Sequence, residues 1–394
     1  MVQKIEEVGK QVFRRSDSTF LDIDVINSDL ILEVIERLRN YGHSKENIEN
    51  RVFGIARFAA CKNRVEEELA KKGWNITIVQ IRRLSELNVE ELQRALKNKI
   101  GVVKFDVVAG NPPYQKSTGT GNPIWHKFVE SGYKIAKNYL CFVHPAIWRK
   151  PQNNYTKCKD IQPKLFESVK YLSIHDSAEG EEVFGAGTRF DWYVADVKNG
   201  NGGKVKVVDE SGKIYTAEIE KWPWIPNYKY ELIEQLIATN GQPKCEFIGD
   251  RTTYGSDSTY VSSEKSEEYN LPLLHTTPKT KNTRWKYSSK IQKDENGNPK
   301  HFETPKVIFG GNGIGEVIID MEGQYGLTEE ARGVVVENKT QAEKVAKAVR
   351  SDTFQEIQDA TSWSNYRMDR DLMNEFRRDW YETVLEIEKQ RNDD

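Results

Sequence analysis

The run Lys104-Phe105-Asp106-Val107-Val108-Ala109-Gly110, followed at once by Asn111-Pro112-Pro113-Tyr114, constrains this chain more than any other stretch. Its β-branched and aromatic residues read as a buried strand. Two successive prolines cannot continue a sheet ladder, because neither has an amide hydrogen to donate, so the chain must leave the sheet at Asn111 through a stiff loop. Around it, helical and β-rich stretches alternate. Leu30 to Tyr41 and Cys61 to Gly73 have helical period, while Ile76 to Gln80, Phe105 to Ala109 and Tyr139 to His144 are β-rich. Over about Asp17 to Asp196 that alternation predicts a doubly wound α/β sheet.

A polar tetrapeptide at the end of such a strand has the groups that chemistry on an extruded nucleobase needs. An exocyclic amino group must be held by two acceptors, and the Asn111 side-chain oxygen and the Pro112 carbonyl can supply them. Pro113 stiffens the loop, and Tyr114 can stack on the extruded ring. The plainer alternative is a rigid Pro-Pro turn after a buried strand, with no chemistry attached.

Asn111-Pro112-Pro113-Tyr114 resembles the signature loop of amino-directed DNA methyltransferases, in particular the adenine-N6 enzymes related to type II and IIG restriction-modification systems. The resemblance continues along most of the chain. Asn122 to Glu130 reads as the helix after the loop, Asn138 to Pro145 as the next strand, Trp148-Arg149-Lys150-Pro151 as the segment that follows it, and Gly187 to Ala195 as the last core hairpin. The resemblance implies a Rossmann-like methyltransferase sheet with a C-terminal, β-rich target-recognition domain and terminal helices. It also implies double-stranded DNA as partner, S-adenosylmethionine as methyl donor, and an aromatic from the hairpin in the base pocket. Phe190 and Trp192 are the candidates for that role. They share one strand face, which equally suits a core position.

The first half of the predicted sheet departs from the family pattern. Where a small-residue Gly-x-Gly turn should open the cofactor helix, Phe20-Leu21-Asp22-Ile23-Asp24-Val25-Ile26-Asn27-Ser28-Asp29 has Ile26 and Ser28, and a branched Ile26 would crowd such a turn. Arg51 to Ile55 should end in a carboxylate for the ribose hydroxyls, but Ala56 and Arg57 follow. After Asn75 to Gln80 an Asp is expected, and Ile81-Arg82-Arg83-Leu84 stands there. Gly9 to Arg15 resembles the start of a cofactor-covering element yet reaches Phe20 with no helix between. Asp22, Asp24 and Asp29 still cluster near the expected pocket as cofactor-binding candidates. A second glycine-rich stretch, Val307 to Gly315, leads into Glu316-Val317-Ile318-Ile319-Asp320, whose β-branched residues predict a returning strand rather than the helix a cofactor loop must open.

Composition excludes several other classes. A length of 394 residues with 37% apolar content suits two or three globular domains. The four cysteines, Cys61, Cys141, Cys158 and Cys245, form no CxxC pair, and the six histidines have no HxxxH or HxH spacing, so neither a disulfide framework nor a metal site is expected. No Gly-x-Ser-x-Gly elbow or Walker loop is present. No apolar run reaches membrane length and Met1 to Glu7 lacks a secretory stretch, so the expectation is a soluble, cytoplasmic protein without a membrane partner.

The formal net charge of −2 gives no general affinity for nucleic acid, but its distribution is uneven. Between His275 and Lys306 lie Lys279, Lys281, Arg284, Lys286, Lys290, Lys293, Lys300 and Lys306, mixed with Thr276-Thr277, Thr283, Ser288, Trp285 and Tyr287. Lys279, Lys281, Arg284, Lys286 and Lys290 are the candidate DNA-binding residues, with a lysine-solubilised loop as the alternative. The expected division is residues 1–226 as the methyltransferase-like domain, 227–338 as the target-recognition domain and 339–394 as a helical segment, with Thr340 to Ser351 and Asp369 to Lys389 helical in spacing. Two functions fit. One is N6 methylation of a flipped adenine. The other is an inactive homologue that reads DNA sequence, or serves as the silent partner of an active methyltransferase or nuclease subunit.

Overall fold

The computed structural model describes residues 1–115, 123–150, 158–239, 241–311, 313–362 and 368–393, and forms two compact units, Met1–Ile225 and Pro226–Asp394. Asn122, Pro151 and Asn312, which belong to stretches singled out above, lie outside the described residues.

The first unit contains the predicted doubly wound sheet. Its strands are β1 (Phe20–Asp22), β2 (Val52–Ala56), β3 (Thr77–Gln80), β4 (Phe105–Gly110), β5 (Ala136–Pro145), β6 (Val169–His175), β7 (Phe190–Asp196), β8 (Val205–Val208) and β9 (Ile214–Ala217). They form one nine-stranded sheet in the order β3-β2-β1-β4-β5-β7-β6-β8-β9. The pairings from β3 to β5 are parallel, whereas β7 runs antiparallel between β5 and β6. The chain order reverses direction between β1 and β4, and the crevice beyond the carboxyl ends of those two strands is where open α/β sheets bind ligands.

Central strands buried on both faces read as continuous apolar runs, and here every residue of β1, β2 and β4 is buried. Helix Asp29–Asn40 covers one face with Ile31, Val34, Ile35 and Leu38, spaced three and four apart. Helix Val2–Arg14, kinked at Gly9, packs beside it, and Gly9 leaves room for Tyr139, whose ring would lie 2.3 Å from a Cβ at that position. The β8–β9 hairpin, announced by Asn199 to Gly203, extends the sheet at its β6 edge.

The second unit has two four-stranded sheets. One runs β10 (Phe247–Ile248), β17 (Ala331–Val335), β14 (Lys306–Gly310), β15 (Val317–Asp320); the other runs β11 (Val261–Ser262), β13 (Arg284–Ser288), β12 (Leu271–Thr276), β16 (Gly326–Leu327). The glycine-rich stretch at residues 307–315 joins β14 to β15, which pair antiparallel, so the returning strand is found as expected. Helices Lys339–Val349, Asp352–Ala360 and Trp380–Asp393 pack within this unit.

One helical expectation fails. Asp369 to Lys389 is not a single helix but Arg370–Met373 and Trp380–Asp393, joined by two turns with isolated bridges at Phe376 and Arg377 between them. The link's backbone is taken up elsewhere: Ala238 N donates to Glu375 O (2.9 Å), Cys245 N to Phe376 O (2.9 Å) and Arg377 N to Leu236 O (2.8 Å). Tertiary pairing of these backbone groups, two carbonyls and one amide of the link, replaces bonds a helix would have made.

Candidate functional site

Asn111 to Tyr114 leave the sheet at the carboxyl end of β4, directly at the switch point. Gly110 permits this, since a Cβ there would stand 2.9 Å from Ile23 Cγ2 and 3.6 Å from Asp22 Oδ1. The tip of β1 is pinned from both sides, with Ile23 N donating to Ala109 O (2.9 Å) and Val25 N to Ile55 O (2.8 Å). The loop and the β1 tip are therefore neighbours held by backbone, which is the rigidity a binding site needs. Pro112 is buried, and Asn111, Pro113 and Tyr114 are half-buried.

Tyr114 starts a relay of rings. It meets Phe184 edge-on at 5.7 Å, Phe184 meets Phe190 at 4.9 Å, and Phe190 stacks on His175 at 4.5 Å. Phe184 ends helix Ser177–Phe184, which is capped by Asp176 at its start and closed by Gly185 in the left-handed region (φ 64°). The Tyr114 hydroxyl is buried with no hydrogen-bond partner among the described residues, and burial, with a smaller contribution from Asp191, pushes its pKa up. Of the two aromatic candidates, Phe190 connects to the loop through Phe184. Trp192 packs on Tyr171 (5.0 Å) in the apolar core under helix Val2–Arg14. Between them, Asp191 is fully buried and accepts from Trp148 Nε1 and Arg149 Nε, both at 2.7 Å, and Arg149 also donates to Ile225 O at 2.9 Å. Trp148 and Arg149 thus fasten the end of β5 to β7.

The cofactor side differs. Asp22 is buried, accepts from Asp24 N at 3.2 Å, and has its pKa raised to about 8 by desolvation. Asp24 is buried and ion-paired through Oδ1 with Arg57 Nε at 2.9 Å, while its Oδ2 has no partner among the described residues. Its pKa is raised because desolvation outweighs the pull of Arg57. Asp29, the third acidic candidate, is the exposed first residue of helix Asp29–Asn40 and does not join the other two. The turn itself is bound by helix Ala59–Lys71: Ser28 N donates to Glu68 Oε2 (3.2 Å) and Arg64 donates to Ile26 O. Arg57 is visible in the sequence as a missing carboxylate. Its pairing with Asp24, and the contacts of Glu68 with Ser28, Arg64 with Ile26 and Phe184 with Tyr114, join residues far apart in the sequence and leave no local signal.

In the second unit, Lys279 and Lys281 lie in the exposed connection between β12 and β13. Arg284 and Lys286 follow on β13, and Lys290 lies just past it with its ammonium 4.6 Å from the Tyr260 ring. Lys279, Lys281, Arg284 and Lys290 are exposed, and Lys286 is half-buried. Four residues of this stretch are not surface groups, and one of them is Ser288, which is buried with its hydroxyl donating to Lys290 O at 2.7 Å. Lys306 is fully buried against Asp320 (2.6 Å), and Thr276 and Thr277 are buried, with Thr277 Oγ1 accepting from Gly310 N at 2.8 Å. None of the four is free for a phosphate.

Sheet order and loop placement define the methyltransferase type of α/β fold. Residues 34–184 match the model of the Eco57I restriction-modification methylase family. An uncharacterized adenine-specific methylase of Mycoplasma pneumoniae is 32% identical over 117 residues, covering 27% of this chain and 28% of that protein. Part of the first unit is thus similar to restriction-modification methylases, one of them adenine-specific. Among solved structures, the type ISP restriction-modification enzyme LlaGI, a nuclease-deletion mutant in complex with a DNA substrate mimic, aligns over 98% of this chain and 53% of its own, with TM-score 0.50 and 11% identity. The type IIL enzyme MmeI in complex with DNA aligns over 98% and 71%, with TM-score 0.43 and 9% identity. The likeness to LlaGI extends the agreement in fold across both units. The match to the curated relative spans about a quarter of that protein's length.

The relationship implies S-adenosylmethionine as methyl donor. The residues present do not fit its usual seat in a switch-point crevice. Such a seat offers a carboxylate at the end of the second strand for the ribose and free backbone amides at a glycine turn. Here the strand end presents the Arg57 guanidinium, and the Ser28 amide is already taken by Glu68. Among the described residues, no group of three metal-ligating side chains occurs, and no helix is long and apolar enough to cross a membrane.

Proposed function

We propose that this chain is a DNA-binding protein of the adenine-N6 methylase type, which takes an adenine extruded from duplex DNA into the Asn111–Tyr114 loop. The observation that carries this reading is the loop's seat: a rigid Asn-Pro-Pro-Tyr at the carboxyl end of β4, held against the β1 tip by Gly110. The Asn111 side-chain oxygen and the Pro112 carbonyl accept the two hydrogens of the adenine amino group, and Tyr114 stacks on the ring. Held this way, the nitrogen lone pair points away from the loop into the crevice. Positioning and exclusion of water are then the chain's contribution to any reaction there. The second unit supplies sequence reading, with Lys279, Lys281, Arg284, Lys286 and Lys290 on phosphates and base edges.

Methyl transfer to that nitrogen is the reaction the relationship supports. A second reading, recognition of the base without transfer, alone or as the silent subunit of a restriction-modification complex, is favoured by the Asp24–Arg57 pair in the crevice. Selection of binding sites from a random duplex pool, with Asn111→Ala in parallel, tests the common part of both. The wild type should enrich an adenine-containing site that the variant binds at least tenfold more weakly. Equal enrichment by both proteins would refute the role of the loop.

A further inference from the structure

We propose that Arg57 is a built-in plug: its ion pair with Asp24 closes the nucleoside end of the switch-point crevice, so that the chain does not take S-adenosylmethionine there. The inference deepens the second reading above, recognition without transfer, and rests on its placement of the crevice, not on DNA binding.

Three observations converge on Arg57. Its Nε stands 2.9 Å from Asp24 Oδ1, with the side chains only 20% and 2% exposed, so the pair spans the ends of β1 and β2 in partly desolvated surroundings, where separating its partners would leave a buried charge uncompensated. Its guanidinium carbon lies over two rings, 5.1 Å from the centre of Phe58 and 5.8 Å from that of Phe128, the latter on helix Trp125–Ile135 that follows the base loop. The side chain is therefore fixed by contacts on different elements. The Asp24 carboxylate, whose second oxygen lacks a partner among the described residues, is the only acidic group it pairs with there among those residues.

The chemistry of the displaced ligand makes the fixed cation effective. A nucleoside's ribose diol donates to a carboxylate at the second strand end, whereas a guanidinium offers only donors. S-adenosylmethionine also carries a sulfonium, so a bound arginine repels it as well as filling the space. The turn that would cradle its methionine end is meanwhile fastened to helix Ala59–Lys71 by Glu68 and Arg64. Removing the plug leaves Asp24 as a free acceptor inside a vacated crevice.

The test is titration calorimetry of S-adenosylmethionine and of S-adenosylhomocysteine into the full chain, for wild type, Arg57→Ala and Arg57→Lys. The wild type and Arg57→Lys should show Kd values above about 1 mM, and Arg57→Ala should bind at least tenfold more tightly. Micromolar binding by wild type would overturn the proposal, as would an Arg57→Ala protein that melts as a folded chain but binds no better. Should Arg57→Ala fail to fold, Arg57→Gln takes its place under the same criterion. Duplex binding is measured separately without cofactor, so loss of DNA recognition would count against the proposed function and leave this result standing.

Discussion

Asparagine at position 22 should remove much of the pH dependence of this protein's stability between pH 5 and 8. In the fold, burial raises the Asp22 pKa from 3.8 to about 8, so the folded chain keeps a proton that the unfolded chain releases above about pH 4. Because the folded value is the higher one, the stability Asp22 contributes is complete below the unfolded pKa and is lost as pH climbs through about 8. The loss runs at about 1.4 kcal/mol per pH unit, or roughly 4–6 kcal/mol across the whole window. Asp22→Asn keeps the shape and the acceptor for the Asp24 amide, 3.2 Å away, but has no proton to lose. Urea unfolding of both proteins at pH 5, 6, 7 and 8 should therefore give stability curves that diverge, the variant gaining on the wild type with each unit. Asp24, whose pKa is also raised, remains in both proteins and largely drops out of the difference. Parallel curves would refute the reasoning and mean that Asp22 is ionised in the folded state.

Other perturbations separate the roles of neighbouring residues. Replacing Lys279, Lys281 and Lys286 together with Ala should weaken duplex binding and reduce the slope of log K against log salt by about 2 to 3, since each phosphate contact releases about one counterion; an unchanged slope returns these lysines to a solubilising role. Lys306→Ala should leave that slope alone but destabilise the second unit by roughly 3–5 kcal/mol in chemical denaturation, because Asp320 is left charged and buried; a loss under about 1 kcal/mol contradicts the pairing. Gly110→Ala should cost roughly 1–3 kcal/mol, through the 2.9 Å approach of its Cβ to Ile23, and should weaken duplex binding by displacing Asn111; wild-type values for both would count against the packing described.

Much of the first unit was legible in its sequence because its signals are local. The apolar run at Phe105 to Gly110 fixed a central strand, the prolines after it fixed the exit, and the spacing of Ile31, Val34, Ile35 and Leu38 fixed the covering helix. The departures at Ile26, Ser28 and Arg57 were equally visible as residues. What replaced the expected contacts was not, because Asp24 and Arg57 are 33 positions apart and Ser28 and Glu68 are 40 apart, and no period or propensity reports such pairings. The same limit explains Lys306 and Thr277. Both look like polar surface in the sequence, and only the β14–β15 hairpin and the Gly310 amide bury them. In the link at residues 374–379, apolar spacing suggested a helix, yet the Glu375 and Phe376 carbonyls and the Arg377 and Arg378 amides bond to residues 236–245 instead.

Base capture by Asn111 to Tyr114 is the central claim, and fluorescence of 2-aminopurine tests it most directly. The probe replaces, in turn, the base next to each adenine in a duplex site obtained by selection, and its emission rises when that adenine leaves the stack beside it. One position should brighten on binding of wild type, and that rise should be absent with Asn111→Ala at saturating protein. Binding with no brightening at any position, or an equal rise with the variant, would contradict the account.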